Sequence, residues 1–198
     1  MAVRAEARRR RYDPDRRSRL IEAALVVLAR DGVAAITHRS VAQAADVPVS
    51  ATTYHFTSLE ALVTAAFERH VDRLAARFEN RMVQAADAAD AVAALVASIT
   101  TDLTASPAEL ALTYELYGAA VRRPAVKAIT ESWMARAEAA LCAHFDAATA
   151  RALDALLEGF MVHVSIASHP VDEADIRAAF TQLLGNRAGQ LPTGPNTH

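Results

Sequence analysis

The stretch from Thr37 to Phe56 constrains the fold more than any other part of the chain. It reads as two short helical segments around a break at Asp46-Val47-Pro48. The first begins at Thr37, a natural N-cap, and has Val41, Ala42 and Ala45 as its buried face; the second covers about residues 49–55. Helices of about ten residues or fewer do not stand alone in water, because nucleation costs more than so few hydrogen bonds return. A third helix must lie beneath them. Residues 14–30 supply it, with Asp13 as N-cap, Pro14 in the first turn and Leu20, Ile21, Ala24, Leu25, Val27 and Leu28 at helical spacing. Arg30-Asp31-Gly32 then stops that helix, with Gly32 free to take a left-handed cap. Three helices so arranged make a helix-turn-helix head.

The remainder is helical almost to its end. Thr57 or Ser58 caps a long helix over about 58–81, with Leu62, Ala66, His70, Leu74 and Phe78 along one stripe. Further helices are expected over about 88–104, 107–121, 124–145, 148–168 and 172–185, separated by Ser106-Pro107, Pro124, the Asp146 region and His169-Pro170. No strand-like alternation stands out, so the expected fold is all-α, helix packed on helix, with about nine helices. The domain reading is a basic arm and head over residues 1–57, a larger helical body over 58–188, and a tail over 189–198 without periodicity, expected to be disordered.

Composition excludes several classes. No apolar run reaches the roughly 18 residues that a membrane span needs. The arginines at positions 4 and 8–11 are followed by Tyr12-Asp13-Pro14-Asp15 and not by an apolar signal core, so no secretory leader is expected and a cytoplasmic location is. The single cysteine, Cys142, cannot form an intrachain disulfide and reads most simply as a small buried helix residue. Charge is uneven: residues 1–58 carry a net +4, and residues 59–198 a net −6. A basic head on an acidic body is the distribution expected when one end meets a polyanion.

The second short helix of the head presents Ser50, Thr52 and Thr53, followed by Tyr54 and His55, groups suited to phosphate and base-edge contacts rather than to a core. At these residues the chain resembles the TetR family of bacterial transcriptional regulators. The resemblance runs through Arg19-Leu20-Ile21-Glu22-Ala23-Ala24, Gly32, Thr37-His38-Arg39-Ser40-Val41-Ala42, Ala45-Asp46-Val47, Tyr54-His55-Phe56 and Leu59-Glu60-Ala61-Leu62. It implies that Thr37 caps the second helix and touches a phosphate, and that Arg39 reaches a base edge or the backbone. Pro48, Val49, Ser50, Ala51, Thr52 and Thr53 would form the recognition helix and its entrance, His55 would contact phosphate, and Phe56 would lock the motif into the head. The chain departs from the family pattern at Asp46, where glycine is usual, and at Thr52-Thr53, where a Leu-Tyr pair is usual. The tyrosine stands one position later, at Tyr54, turned by about 100° around the helix. Plainer roles stay open: Thr37 as a cap alone, Arg39 as a solvated charge, Tyr54 as a packed aromatic.

One head reads half a site, so a homodimer on a palindromic double-stranded operator is expected. The two C-terminal helices carry more apolar width than one intramolecular face needs, from Leu153, Leu156, Leu157, Phe160, Met161 and Val164 to Ile176, Ala179, Phe180 and Leu183. They are the expected dimer surface. Aromatic and polar groups are sparse in the alanine-rich body, which makes His70, Phe78, Tyr114, Tyr117, Trp133, Arg136 and His163 the candidate contacts for a small organic effector, with Glu115 between the two tyrosines. No metal-ligand spacing, Glu-x-x-His pair, phosphate loop or nucleophile paired with a base is present, so neither a cofactor nor catalysis is expected. The resemblance implies a repressor released by its effector. An activator, a co-repressor-dependent regulator, and an interaction module that keeps the fold without binding DNA remain as alternatives.

Overall fold

The computed structural model describes residues 15–102 and 106–188, and among them the secondary structure is helical throughout. Among the described residues nine α-helices run in order: α1 (Arg16–Asp31), α2 (His38–Ala44), α3 (Val49–His55), α4 (Leu59–Gln84), α5 (Ala88–Ala97), α6 (Pro107–Ala120), α7 (Pro124–Leu141), α8 (Ala147–Ile166) and α9 (Glu173–Ala188). The expected arm, the cap at Asp13 and Pro14, and the tail fall outside the described residues.

The chain divides into two compact units. Among the described residues, one comprises those up to Asp72 together with Ala111–Thr130; the other comprises those of Arg73–Leu110 and those from Glu131 onward. In the first unit α1 packs on α2, and α2 on α3. Leu20, Ala24, Val27, Leu28, Val41 and Ala42 are all but inaccessible, as the helical spacing of α1 and α2 requires. Leu62, Val63, Ala66 and Phe67 of α4 are buried, as is Leu116 of α6. Arg69 of α4 donates to Glu22 of α1 at 2.9 Å and to the Ser18 hydroxyl at 3.3 Å.

In the second unit α9 packs on α5 and on α8. Its core joins Met82, Val92, Leu95, Ile99, Leu141, Leu153, Leu157, Ile176 and Phe180, with Phe78, Phe160 and Leu183 packed against it. Polar side chains define the helix starts. Asp87 accepts from the backbone N–H groups of Ala89 and Asp90 at 2.8 and 2.9 Å, and Asp146 accepts from those of Ala148 and Thr149 at 3.0 and 2.9 Å.

Two helices end several residues short of what their periodicity predicts. The one expected over 88–104 leaves α geometry at Ser98 and continues as a π-helical turn, Ser98–Asp102. The Ser98 hydroxyl donates to the Ala94 carbonyl at 3.0 Å and Thr100 to that of Val96 at 3.1 Å; such back-bonding competes with the regular ladder. The helix expected to reach residue 145 stops at Leu141, and the chain turns there with His144 Nε2 2.8 Å from the Met82 carbonyl. That early stop also corrects the reading of Cys142, which is exposed: Leu141 takes the fully buried place, and the next residue points out.

Asp154 on α8 is a titratable group at the margin of this unit. Burial, and then the charge of Glu138, pushes its carboxyl up to about 6. Glu138 itself is engaged by Arg151 at 2.8 Å. An unfolded aspartate titrates near ~3.9, so the folded chain holds this proton to higher pH. The associated stability is complete below about pH 4 and is lost as pH rises through about 6. Asp154→Asn is expected to remove that decline and to be more stable than wild type near neutral pH by roughly 1–3 kcal/mol, with little difference near pH 4. Urea unfolding of both chains at the two pH values checks this.

Candidate nucleic-acid interface

Helix α2 starts from a reciprocal cap. The Thr37 hydroxyl accepts the Ser40 backbone N–H at 3.0 Å, and the Thr37 backbone N–H donates to the Ser40 hydroxyl at 2.9 Å. This satisfies two donors that a helix start leaves orphaned. Arg39 follows in the first turn with its side chain exposed. Val41, Ala42 and Ala45 face inward, as their spacing predicts.

The turn is built on Asp46, the one described residue other than glycine with positive φ, at 51°. The family's usual glycine takes this conformation without steric cost; aspartate tolerates it better than most residues. The Val47 N–H donates to the Ala42 carbonyl at 3.0 Å, which closes the turn, and Pro48 leads into α3 with its carbonyl accepting the Ala51 N–H at 2.9 Å. Arg19 of α1 donates to the Ala45 carbonyl at 2.9 Å and so fastens the turn from below. Sequence reading gave Arg19 no such role, because 26 residues separate donor and acceptor.

Helix α3 is two-sided. Val49, Ser50, Thr53 and Tyr54 are exposed, Tyr54 to 84%. Ala51 and Thr52 turn inward, and Thr52 is wholly buried. Its hydroxyl donates to the Val49 carbonyl at 2.7 Å and lies 3.0 Å from His38 Nδ1. With that proton committed, the hydroxyl accepts from Nδ1–H, so the pair ties α2 to α3 and leaves Thr52 no surface to offer a base edge. Tyr54 and His55 meet edge to face, with ring centroids 5.0 Å apart. Phe56 is buried, and the Arg17 guanidinium lies 5.0 Å from its ring centroid. The outward face thus gathers Thr37, Arg39, Pro48, Val49, Ser50, Thr53 and Tyr54, with His55 half-exposed beside them.

The candidate effector contacts divide between the two units. His70, Tyr114 and Tyr117 belong to the first; Phe78, Trp133, Arg136 and His163 belong to the second. His70 is buried, with Nε2 3.1 Å from the Thr113 hydroxyl. Arg136 donates from Nε at 2.7 Å and Nη2 at 2.9 Å to the Glu79 carboxylate, which this bonding holds below the usual carboxylate range. Phe78 packs on the core of the second unit, and His163 is exposed on α8. Among the described residues no three His, Cys, Asp or Glu side chains are grouped to hold a metal ion, and no helix is long and apolar enough to cross a membrane.

A three-helix head with a capped second helix and a short outward third helix, followed by a larger set of helices, defines the helix-turn-helix class of transcriptional regulators. Residues 83–186 match the family model described as the tetracycline repressor-like C-terminal domain. None of the curated proteins matches the chain. Solved structures do. SCO7518 of Streptomyces coelicolor A3(2), assigned as a candidate transcriptional regulator, is 40% identical, with a TM-score of 0.79 over 86% of this chain and 98% of that one. SCO1917 of the same organism, a member of the TetR family, is 36% identical, with a TM-score of 0.70 over 86% and 98%. EbrR, a multidrug binding protein, is 35% identical in its ethidium complex, with a TM-score of 0.72 over 85% and 98%. In its malachite green complex the identity is 37%, with a TM-score of 0.68 over 86% and 98%. The chain belongs to the TetR family of transcriptional regulators.

Because the reciprocal cap serves the helix before it serves any partner, Thr37→Ala is expected to destabilise the head by about 1 kcal/mol. Thermal unfolding measures that loss, and Thr37→Ser, which keeps the hydroxyl, should recover most of it.

Proposed function

We propose that this regulator is a repressor that binds a palindromic DNA operator as a homodimer and releases it when a small organic effector binds. The observation that carries the reading is the head itself. Its turn is fixed at Ala45, Asp46 and Val47, and the two short helices are tied by His38 and Thr52. The exposed row of Val49, Ser50, Thr53 and Tyr54 is left for the major groove. Arg39 and His55, together with Arg17 above the Phe56 ring, are the phosphate-facing groups of this reading. Residues 1–57 do the reading of DNA, and 58–188 the sensing and pairing, in the cytoplasm.

Pairing is assigned to α8 and α9. Ala155, Gly159, Val162 and Ile166 recur along one face of α8, and all four are exposed, Ile166 to 74%. Gly159 and Gly185 lie within helices, and a Cβ at either would meet nothing within 4 Å. Glycine inside a helix costs about 1 kcal/mol relative to alanine. Among the described residues nothing takes up the space beside these glycines, whereas close approach of a second copy would use it.

The effector is assigned to the body. EbrR is a multidrug binding protein with structures holding ethidium and malachite green, which makes flat organic cations the first chemistry to try. Tyr114 and Tyr117, both in the first unit, supply aromatic surface for such a ligand. Release from DNA follows only if the ligand binds the DNA-incompatible state more tightly than the other.

Selection of bound fragments from the source genome, with Arg39→Ala beside the native chain, tests the reading. The native chain is expected to enrich a palindrome, with affinity falling steeply as salt rises, and the variant to lose at least tenfold in affinity. No enrichment by a folded native dimer would overturn operator binding. Gly159→Arg is expected to keep the helical content, sediment as a monomer and lose the palindrome.

A further inference from the structure

Gly32 does more than stop α1. Its φ of 76° is positive, as a glycine cap predicts, but its ψ is 171° and not the value of a left-handed helical cap. That combination is open essentially to glycine alone. It turns the following peptide so that the Val33 N–H donates to Glu115 Oε2 at 2.8 Å. A Cβ on Gly32 would stand 2.9 Å from Glu115 Oε1, so the carboxylate rests directly against the glycine. Glu115 lies on α6, 82 residues away, within the same compact unit as the head. A carboxylate accepting a backbone N–H in a half-buried place is among the stronger hydrogen bonds a turn can receive.

The same helix has a second tie to this unit. Thr113, two residues before Glu115, meets buried His70 of α4 at 3.1 Å. Two residues correspond to about 200° of helix rotation, so Thr113 and Glu115 leave α6 on nearly opposite flanks. One flank holds α4 and the other the α1–α2 turn. A rotation or slide of α6 by an ångström or so exceeds what a hydrogen bond tolerates, and the turn must then follow α6 or lose its partner. From this turn the chain passes through buried Ile36 to Thr37, whose cap starts α2.

We propose that Glu115 is a positioning residue for DNA recognition, a latch by which α6 sets the α1–α2 turn and through it the start of α2. The proposal rests on the DNA-binding reading above. Tyr114 and Tyr117, candidate effector contacts, flank Glu115 on the same helix, so an effector that shifts α6 acts on the latch directly.

The test uses the full chain and its Glu115→Ala and Glu115→Gln variants, the selected operator, and malachite green as probe. Amide exchange at Val33 is expected to accelerate at least tenfold in Glu115→Ala and to stay near wild type in Glu115→Gln, whose amide oxygen still accepts. Operator affinity of Glu115→Ala should fall about fivefold. The ratio of operator affinities without and with saturating dye, saturation being read for each chain from the dye's own absorbance, should fall at least threefold toward one. A purely structural role would lower the melting temperature and leave that ratio intact. Unchanged Val33 exchange in Glu115→Ala, or unchanged operator affinity with faster exchange, overturns the latch. A native chain that binds operator but ignores the dye counts against release by that class of ligand, and the latch is then decided by exchange and operator affinity. A native chain that binds no operator removes the DNA-binding reading, and the positioning role with it.

Discussion

Helices α2 and α3 are seven residues long each, and everything the head presents depends on their being held from outside. Such short helices gain too few hydrogen bonds to repay nucleation. Their persistence therefore rests on the buried contacts of Val41, Ala42, Ala45 and Ala51 and on three polar ties. Arg19 fixes the turn carbonyl from α1, His38 and Thr52 link the two short helices, and the Thr37–Ser40 box fixes the first turn of α2. The first two satisfy part-buried backbone or side-chain groups, the exposed box pairs groups at the helix start, and each sets a direction as well as an energy. The outward face of α3 is what remains once Ala51 and Thr52 have been taken by the interior.

The chain's division into units cuts across its long helices. Asp72 and Arg73 lie within α4, and the boundaries near 110 and 130 lie within α6 and α7. The head is thus not confined to the first 57 residues as a packing unit, since α4 and α6 contribute Leu62, Val63, Phe67 and Leu116 to the buried residues of the first unit. Glu115 belongs to this continuation. Its bond to the Val33 N–H and its contact with Gly32 bring a residue of α6 to the turn that precedes α2 and α3. In the second unit the core is closed by α5, α8 and α9, while one row of α8 stays open to solvent.

Much of this was legible before any coordinates. The spacing of Leu20, Ile21, Ala24 and Leu28 marks α1, Thr37 marks the start of α2, and Asp46-Val47-Pro48 marks the turn. The left-handed tolerance of aspartate is met in the positive φ of Asp46. Where periodicity misled, a local competitor won. Hydroxyl back-bonding at Ser98 and Thr100 diverts α5 into a π turn, and the turn after Leu141 exposes Cys142. Thr52 looked like an outward hydroxyl because residue type says nothing of rotation about so short a helix; its burial needed the partner His38 to be in place.

The sequence by itself determined that the described residues are helical, where the helices after the first begin, and that a helix-turn-helix occupies residues 37–56, because caps, breakers and 3.6-residue spacing are local properties. Tertiary structure alone decided which side chains of α3 face out, that Arg19 reaches Ala45, that Arg136 is occupied by Glu79, and that Glu115 meets Gly32 and Val33. Those contacts join residues 26 or more positions apart, and no periodicity encodes which distant partner a half-buried charge will find. The packing of helices brings such groups within reach, and the need to satisfy buried polar atoms then selects the pair.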